Sequence, residues 1–231
     1  MKAIALIPAR GGSKGIIGKN IVDILGKPLI EYTIEVALES KTIDEVWVSS
    51  DSEEILKVAS KYKEIHIHRR NDALATDTSS INETIKEVIN LTKHCELFVL
   101  LQPTSPIRDS NNIDEAVKLM KNNNLANSLI SVCGMDDVHP ARMYWMKNFE
   151  LQPIMQEYES TRRQDIPTAY YRNGSIYIVR KEAFMKTNSI IAKPSIGYMM
   201  PTSYLLNIDE PRDLIIAEPL IKNWLESRSN S

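Results

Sequence analysis

The 231 residues suffice for one α/β domain with a substantial core, and 43% hydrophobic with 25% charged residues is the composition of an ordinary globular protein. A formal net charge of −2 argues against a broad basic surface for nucleic acid or anionic membranes, although a local cationic site stays compatible with it. No apolar run has membrane-spanning length, and Cys95 and Cys133 lack metal-type spacing, so we expect a cytoplasmic protein with reduced core thiols.

From the N-terminus onward, short apolar runs alternate with helical patterns. Strands are predicted at 3–8, 45–51, 65–68, 97–103 and 128–133, and helices at 28–40, 52–61, 78–92 and 111–122. Strands that alternate with helices of this length indicate βαβ units. The sequence therefore predicts an α/β fold with a mostly parallel sheet flanked by helices.

The alternation breaks between 135 and 172. Residues 144–154 read as a hairpin that turns near Asn148, and we interpret 135–172 as a small dimerisation subdomain inserted in a single domain, 1–231. The rhythm resumes with a strand at 174–180 and closes with a helix at about 211–225. With neither a repeat nor a low-complexity linker, we expect no second folding domain.

The loop after the first predicted strand is the strongest chemical signal. Residues 7–20 read IPARGGSKGIIGKN, which places Arg10, Ser13, Lys14 and Lys19 among four glycines. Glycines let backbone N–H groups approach phosphate oxygens, and the cations offset the phosphate charge. The alternative is a basic loop whose glycines serve only to turn the chain. The pattern is neither a Walker A loop nor a G-x-G-x-x-G fingerprint.

This loop resembles the signature of the acylneuraminate cytidylyltransferases, the CMP-sialic acid synthetase family. Further matching segments follow in family order: ALATDTSS (73–80), LLQPTSPIR (100–108), RQDIP (163–167), RNGSIYI (172–178) and NIDEPRDL (207–214). The resemblance implies a Rossmann-like nucleotidyltransferase that transfers CMP from CTP to a sialic-acid-like 2-keto sugar acid, as a homodimer. Kdo cytidylyltransferases share that fold with a different basic loop. Pseudaminic-acid members usually carry a second basic residue where this chain has Gly15, which favours N-acetylneuraminic or legionaminic acid.

The resemblance assigns the CTP triphosphate to one group of residues: Arg10, Gly12, Ser13, Lys14, Lys19 and Asn20. Arg70 and Ser80 match positions that recognise cytosine, whose O2 and N3 accept hydrogen bonds. Since Arg69 is adjacent, this assignment could slip by one residue. The structural alternative is a surface Arg70 and a Ser80 that opens a helix.

The resemblance also assigns the sugar acid to a second group: Gln102, Thr104, Arg142, Arg163 and Asn173, with Arg108 nearby. Arginine suits a carboxylate because it can bind both oxygens. The alternatives are a rigid Pro-rich turn at 102–108 and exposed arginines without a role. Where the family often has an arginine before the Asn, this chain has Tyr171, beside Arg172.

Asp209 is the Mg²⁺ ligand implied by the resemblance, and it completes a catalytic set with Arg10, Lys14 and Lys19. Many family members carry two acids spaced D-x-D, whereas this chain has Asn207 and Asp209. The Asn207 carbonyl can still ligate a hard cation. The rival role of Asp209 is a helix N-cap. Asp51, at the end of the second strand, is a further candidate acid of the cleft.

The expected reaction is an in-line displacement at the α-phosphate of CTP, with no covalent enzyme intermediate. Two rivals stay open: a cytidylyltransferase for Kdo or pseudaminic acid, and a CTP-binding module without catalysis. His66 and His68 share one face of a strand, but they have no third metal ligand nearby, and we expect surface or edge residues.

Overall fold

A computed structural model of the protein describes residues 1–13, 15–74, 79–135 and 138–229. The strands are β1 (Ala3–Pro8), β2 (Asp23–Ile24), β3 (Lys27–Pro28), β4 (Glu45–Ser50), β5 (Ile65–Arg69), β6 (Leu97–Leu100), β7 (Ser128–Met135), β8 (Tyr144–Lys147), β9 (Glu150–Pro153), β10 (Ala169–Arg180) and β11 (Ser195–Met199). The helices are α1 (Leu29–Glu39), α2 (Glu53–Ala59), α3 (Ile81–Leu91), α4 (Ser110–Asn122), α5 (Lys181–Thr187) and α6 (Pro211–Ser229).

Seven strands form the central sheet, in the order β11-β7-β10-β6-β1-β4-β5. Only β10 runs antiparallel to its neighbours, β6 and β7, and every other pairing in this sheet is parallel. The predicted fold class, a mostly parallel sheet flanked by helices, is confirmed. The antiparallel direction of β10 was not predicted, because hydrophobic alternation carries no information about strand direction.

The apolar core has two layers. Ala3, Ala5 and Ile7 face the layer formed with α1, α2, α4 and α6, whereas Ile4 and Leu6 face the layer with α3 and α5. Since β1 is buried on both faces, its sequence is continuously apolar rather than alternating. Both cysteines are free and buried.

The predicted helices are all present, with ends displaced by a few residues, and the last continues to Ser229. The strand predicted at 97–103 ends earlier, at Leu100. The strand predicted at 174–180 begins at Ala169, so part of the segment interpreted as an excursion belongs to the central sheet. α5 and β11 were not predicted. Within the described ranges, no helix is both long and apolar enough to cross a bilayer.

The predicted hairpin is confirmed as β8 and β9, which pair with each other apart from the central sheet. Asn148 and Phe149 form its turn with φ of 49° and 68°. Two consecutive left-handed residues are what a two-residue turn requires to match the twist of the strands. Most side chains of this hairpin are exposed, including the large apolar ones Trp145, Met146 and Leu151.

Candidate active site

A cavity of about 290 Å³ lies at the carboxyl ends of the parallel strands, where ligands bind in folds of this architecture. Its walls come from the loop after β1, from the segment between β5 and α3, and from the turn after β6. The lining residues are Pro8, Arg10, Ser13, Lys19, Asn20, Arg70, Leu74, Ser79, Ile81, Gln102, Pro103 and Thr104. Three cationic side chains therefore converge on one polar cavity.

The loop after β1 is held at both ends by hydrogen bonds. The Gly11 N–H donates to Asp51 Oδ1 at 3.0 Å, and buried Asn20 donates from Nδ2 to the Arg10 carbonyl at 3.0 Å. A Cβ on Gly11 would lie 2.8 Å from the Ser52 Cβ, so this residue has no room for a side chain. Asp51 thus supports the loop. Lys14 lies outside the described residues.

A second segment, 207–210, crosses close to this loop. A Cβ on Gly15 would lie 2.3 Å from the Asp209 carbonyl oxygen, so the two backbones are in direct contact. Lys19 Nζ donates to Asp209 Oδ1 at 2.8 Å, with the lysine side chain 12% exposed and the aspartate 68% exposed. The loop and the segment therefore meet twice, once through backbone and once through opposite charges.

The alternative role of Asp209 was to cap the N-terminus of α6, but Asp213 caps this helix. Asp213 Oδ2 accepts from the N–H groups of both Asp209 and Glu210, each at 2.8 Å. These hydrogen bonds lower the pKa of Asp213. Because α6 is capped from within its own first turn, the Asp209 carboxylate is left to face Lys19 and solvent.

Asn207 belongs to a compact group of polar side chains. Its Oδ1 accepts from Ser105 Oγ at 2.5 Å. A Cβ on Gly174 would lie 2.5 Å from Ser105 Oγ and 3.0 Å from both Asn207 Oδ1 and Gln102 Oε1. Gly174 also has a φ of +80°, so only glycine fits there without strain. Since β10 is antiparallel, its early residues reach this edge of the sheet.

Arg70 lines the cavity although its side chain is almost buried, at 6% exposure. It donates from Nε to Ser49 Oγ at 3.3 Å and from Nη2 to the Ser49 carbonyl at 3.0 Å. Burial lowers its pKa, whereas Asp51 and Glu87 act in the opposite direction. Arg69, by contrast, has a side chain 66% exposed and pairs with Glu53, so the structure places Arg70 rather than Arg69 at the cavity.

Ser80 and Ser79 differ in their surroundings. Ser80 caps α3 by accepting from the Asn82 N–H at 3.2 Å, and Ser79 rather than Ser80 is among the lining residues. The resemblance assigned Ser80 to cytosine and did not consider Ser79. Leu74 and Ile81 also line the cavity and were not predicted, because apolar residues at a loop end and a helix start resemble ordinary core residues.

Arg108 is fully buried and supports the turn after β6. It donates to Thr33 Oγ1 at 3.1 Å, to the Gln102 carbonyl at 2.6 Å and to the Ser105 carbonyl. Complete burial lowers its pKa. Arg108 therefore holds the backbone on which Gln102 and Thr104 stand, rather than facing the cavity itself.

Three of the residues assigned to the sugar acid lie elsewhere. Arg142 and Arg163 line a separate cavity of about 410 Å³ that shares no lining residue with the first, as far as the described residues go. Arg142 donates to the carbonyls of Glu159 and Thr161. Asn173 is fully buried and accepts from Ser131 Oγ at 2.6 Å.

Asp209 offers an exposed carboxylate to a cation, whereas the amide oxygen of Asn207 accepts from Ser105 Oγ. In the part of the chain that the structure describes, no three His, Cys, Asp or Glu side chains converge as a metal site. Mg²⁺ often takes only one or two protein oxygens and completes its shell with water and substrate phosphates. The exposed Asp209 carboxylate, next to a cavity lined by cations, fits such a minimal site.

Comparison with known proteins adds a family match. The sequence profile described as cytidylyltransferase matches residues 4–215. An N-acylneuraminate cytidylyltransferase of Escherichia coli O18:K1:H7 is 37% identical over 220 residues, which cover 94% of this chain and 51% of that protein. The chain thus spans about half the length of this relative.

Other relatives match over almost their whole length. A CMP-N,N'-diacetyllegionaminic acid synthase of Legionella pneumophila is 33% identical, with 96% of this chain and 97% of that protein covered. A pseudaminic acid cytidylyltransferase of Campylobacter jejuni is 32% identical, with the same shares covered. Among solved structures, a CMP-2-keto-3-deoxy-manno-octonic acid synthetase complexed with CTP has a TM-score of 0.73 at 17% identity, covering 96% of this chain and 99% of that one. At that identity the likeness concerns the fold alone.

Proposed function

Because the chain belongs to the cytidylyltransferase family, we propose that it transfers CMP from CTP to the anomeric hydroxyl of a nonulosonic acid and releases pyrophosphate. The observation that carries the proposal is the single cavity on which Arg10, Lys19 and Arg70 converge beside Gln102 and Thr104. A cavity with three cations at the carboxyl edge of a parallel sheet suits a polyanionic nucleotide.

In the proposed reaction, the anomeric oxygen forms a bond to the α-phosphorus of CTP as the bond between that phosphorus and the bridging oxygen of pyrophosphate breaks. The hydroxyl proton is released to solvent. Arg10 and Lys19, together with Lys14, bind the triphosphate and stabilise the negative charge that grows on the departing pyrophosphate. Ser13 and the Gly12 backbone contact the triphosphate with them, and Asn20, which donates to the Arg10 carbonyl, orders the loop.

Asp209 and Asn207 would hold Mg²⁺ at the segment 207–210. The cation would supply positive charge to the phosphate oxygens and lower the pKa of the attacking hydroxyl. Lys19 competes for the same Asp209 oxygen in the structure, so we expect it to turn toward the triphosphate when nucleotide binds. The neutral amide of Asn207 attracts the cation less strongly than a second carboxylate would.

We propose N-acetylneuraminic or legionaminic acid as the acceptor, with Kdo and pseudaminic acid as the alternatives. The contact of Gly15 with the Asp209 backbone supports this choice, because a basic residue at this position, usual in pseudaminic-acid members, would overlap that carbonyl. The relatives with comparable identity act, by name, on three different nonulosonic acids.

We also propose a homodimer formed through the β8–β9 hairpin. Trp145, Met146, Phe149 and Leu151 are all exposed, with Phe149 at 94%. Several large apolar side chains on one exposed hairpin are typical of a protein interface. A dimer would also allow Arg142 and Arg163 to approach the sugar acid in the partner's cavity.

The decisive experiment measures pyrophosphate release from CTP and Mg²⁺ with N-acetylneuraminic, legionaminic, pseudaminic acid and Kdo in separate reactions. The proposal would be supported if pyrophosphate is released with one of these acids, with CTP but not with UTP, and only when Mg²⁺ is present. CTP binding without release under any acid would favour the non-catalytic module. Sedimentation of the wild type and of Phe149→Asp tests the dimer, which the charged side chain is expected to dissociate.

A further inference from the structure

Ser49 is the residue that fixes the position of Arg70. It lies fully buried near the carboxyl end of β4 and accepts from Arg70 through both its hydroxyl and its carbonyl oxygen, at 3.3 and 3.0 Å. Two hydrogen bonds to one residue set both the place and the tilt of the guanidinium plane. Whatever orients the Ser49 hydroxyl therefore also orients Arg70.

His68 Nδ1 lies 2.9 Å from Ser49 Oγ. The Ser49 hydroxyl carries one proton, and because its oxygen accepts from Arg70 Nε, that proton is available to donate to His68. Nδ1 must then be the unprotonated nitrogen, which assigns the ring proton to Nε2. In this arrangement Arg70 Nε and the Ser49 hydroxyl each have an acceptor.

The other ring nitrogen points to a carboxylate. His68 Nε2 lies 3.6 Å from Glu87 Oε2 on α3, and that oxygen is buried with no hydrogen-bond partner. Glu87 and Arg70 are the charged groups that act on His68. Burial lowers the pKa of His68, with Glu87 raising it and Arg70 lowering it further, so the ring is neutral at neutral pH.

We propose that His68 is a positioning residue for nucleotide binding: the neutral ring, which faces Glu87, orders the Ser49 hydroxyl, and Ser49 in turn aims Arg70 at the pyrimidine base. This inference rests on the proposed function, in which Arg70 contacts cytosine. His68 itself does not reach the cavity, and so it acts only through its neighbours.

Protonation of His68 disrupts this arrangement. A proton on Nδ1 makes the ring a donor to Ser49 Oγ, which leaves the serine proton without its acceptor. It also places a second positive charge near Arg70. CTP affinity should therefore fall as the pH drops below the ordinary histidine range. Part of this loss should disappear when His68 is replaced by a residue that cannot be protonated. Because the base contact is kept throughout the reaction, the effect belongs in Kd and KM and not in kcat.

The test compares CTP dissociation constants, measured by calorimetry between about pH 5.5 and pH 8, for the wild type and three variants. His68→Leu removes the acceptor and is expected to weaken CTP binding on the order of 5–10-fold at neutral pH. His68→Asn keeps an acceptor oxygen near the position of Nδ1 and cannot titrate. It should bind CTP nearly as the wild type does at pH 8 and retain that affinity at acid pH. The matched control is His66→Leu, two residues earlier on the same strand and stacked on Trp47, which should leave binding unchanged.

CTP itself also ionises in this pH range, and this affects all variants equally. The readout is therefore the ratio of each variant's CTP dissociation constant to that of the wild type at the same pH. Parallel curves for wild type and His68→Asn, or unchanged binding by a folded His68→Leu, would overturn the inference. Arg70→Ala tests the cytosine contact separately from the positioning role of His68, and it should weaken CTP binding at least about tenfold. If it does so while the His68 variants have no effect, only the positioning role fails. If it does not, the cytosine contact fails and the positioning role fails with it.

Discussion

Replacement of Gly15 by alanine tests whether the close approach of two backbones organises the site. The added Cβ would lie 2.3 Å from the Asp209 carbonyl oxygen, whereas ordinary contacts begin at 3.4 Å. The two segments would have to separate by about 1.1 Å. The segment 207–210 cannot yield easily, because the Ile208 N–H donates to the Thr104 carbonyl at 2.8 Å and Asp213 holds the next two N–H groups.

The expected consequence is a loss of activity rather than of folding. Separation by this distance would move Asp209, the proposed Mg²⁺ ligand, away from the triphosphate loop. Misplacement of a catalytic group by about 1 Å can reduce the rate about 10²-fold. The strain can be relieved by a shift of the exposed loop, so the unfolding temperature should change little.

The assay is kcat/KM for pyrophosphate release, with the unfolding temperature measured on the same preparations. Gly12→Ala is the matched control, since a Cβ there meets no atom within 4 Å. It makes the same chemical change in the same loop without the overlap. Since Gly12 is assigned to the triphosphate through its backbone, which alanine keeps, we expect activity within about threefold of wild type. Equal loss in both variants would mean that loop flexibility, not the contact with Asp209, is what glycine supplies. Full activity of Gly15→Ala would refute the contact itself.

Three further predictions concern single residues. Asp209→Asn should reduce kcat/KM on the order of 10²-fold or more with an unchanged unfolding temperature, because its exposed ion pair contributes little stability; a fully active variant would remove Asp209 from the site. Arg108→Met should lower the free energy of unfolding by about 3 kcal/mol in urea titrations, as buried carbonyls lose a charged donor; a stable variant would contradict its structural role. The third residue is Asp114. Burial raises its pKa, but hydrogen bonds from Ser40, Thr42 and Lys41 lower it by more, so the folded pKa lies below the unfolded one. Asp114 therefore stabilises the fold at pH values above its unfolded pKa, and this contribution is lost as the pH falls through the folded pKa. Asp114→Ala should therefore cost about 2 kcal/mol at neutral pH and less in acid, and a difference that does not depend on pH would refute this account.

Much of the fold was predictable from local pattern. β1 is a continuous apolar run because both its faces are buried, and α1 to α4 follow the helical period because each covers one face of the sheet. The hairpin turn at Asn148 was predictable because few residues other than asparagine and glycine adopt positive φ readily. By contrast, α5 and β11 were missed, since their short segments lack a distinct period.

The candidate site was predictable as a set of segments, and less so as a set of side chains. The loop at 7–20 and the turn at 102–104 do line one cavity, because the carboxyl ends of parallel strands meet at one edge of the sheet. The resemblance assigned Arg70, with Arg69 as the adjacent alternative, and Ser80, whereas Arg70 and Ser79 line the cavity. These residues lie at the end of β5 and in the loop before α3, where adjacent side chains point in different directions, and only the packing of neighbouring elements decides which of them borders the cavity.

The amino-acid order by itself thus determined the α/β alternation, the phosphate-type loop and the chemical kinds of residue available to the site. The tertiary structure decided which of them meet: Lys19 with Asp209, 190 residues apart in the chain, and His68 with Ser49 behind Arg70. It also decided that Asn173 and Arg108 lie buried as supports of the site's framework. Local patterns of apolar residues record which faces of strands and helices are buried, whereas the burial of a single polar residue and the identity of its partners depend on how distant segments pack together.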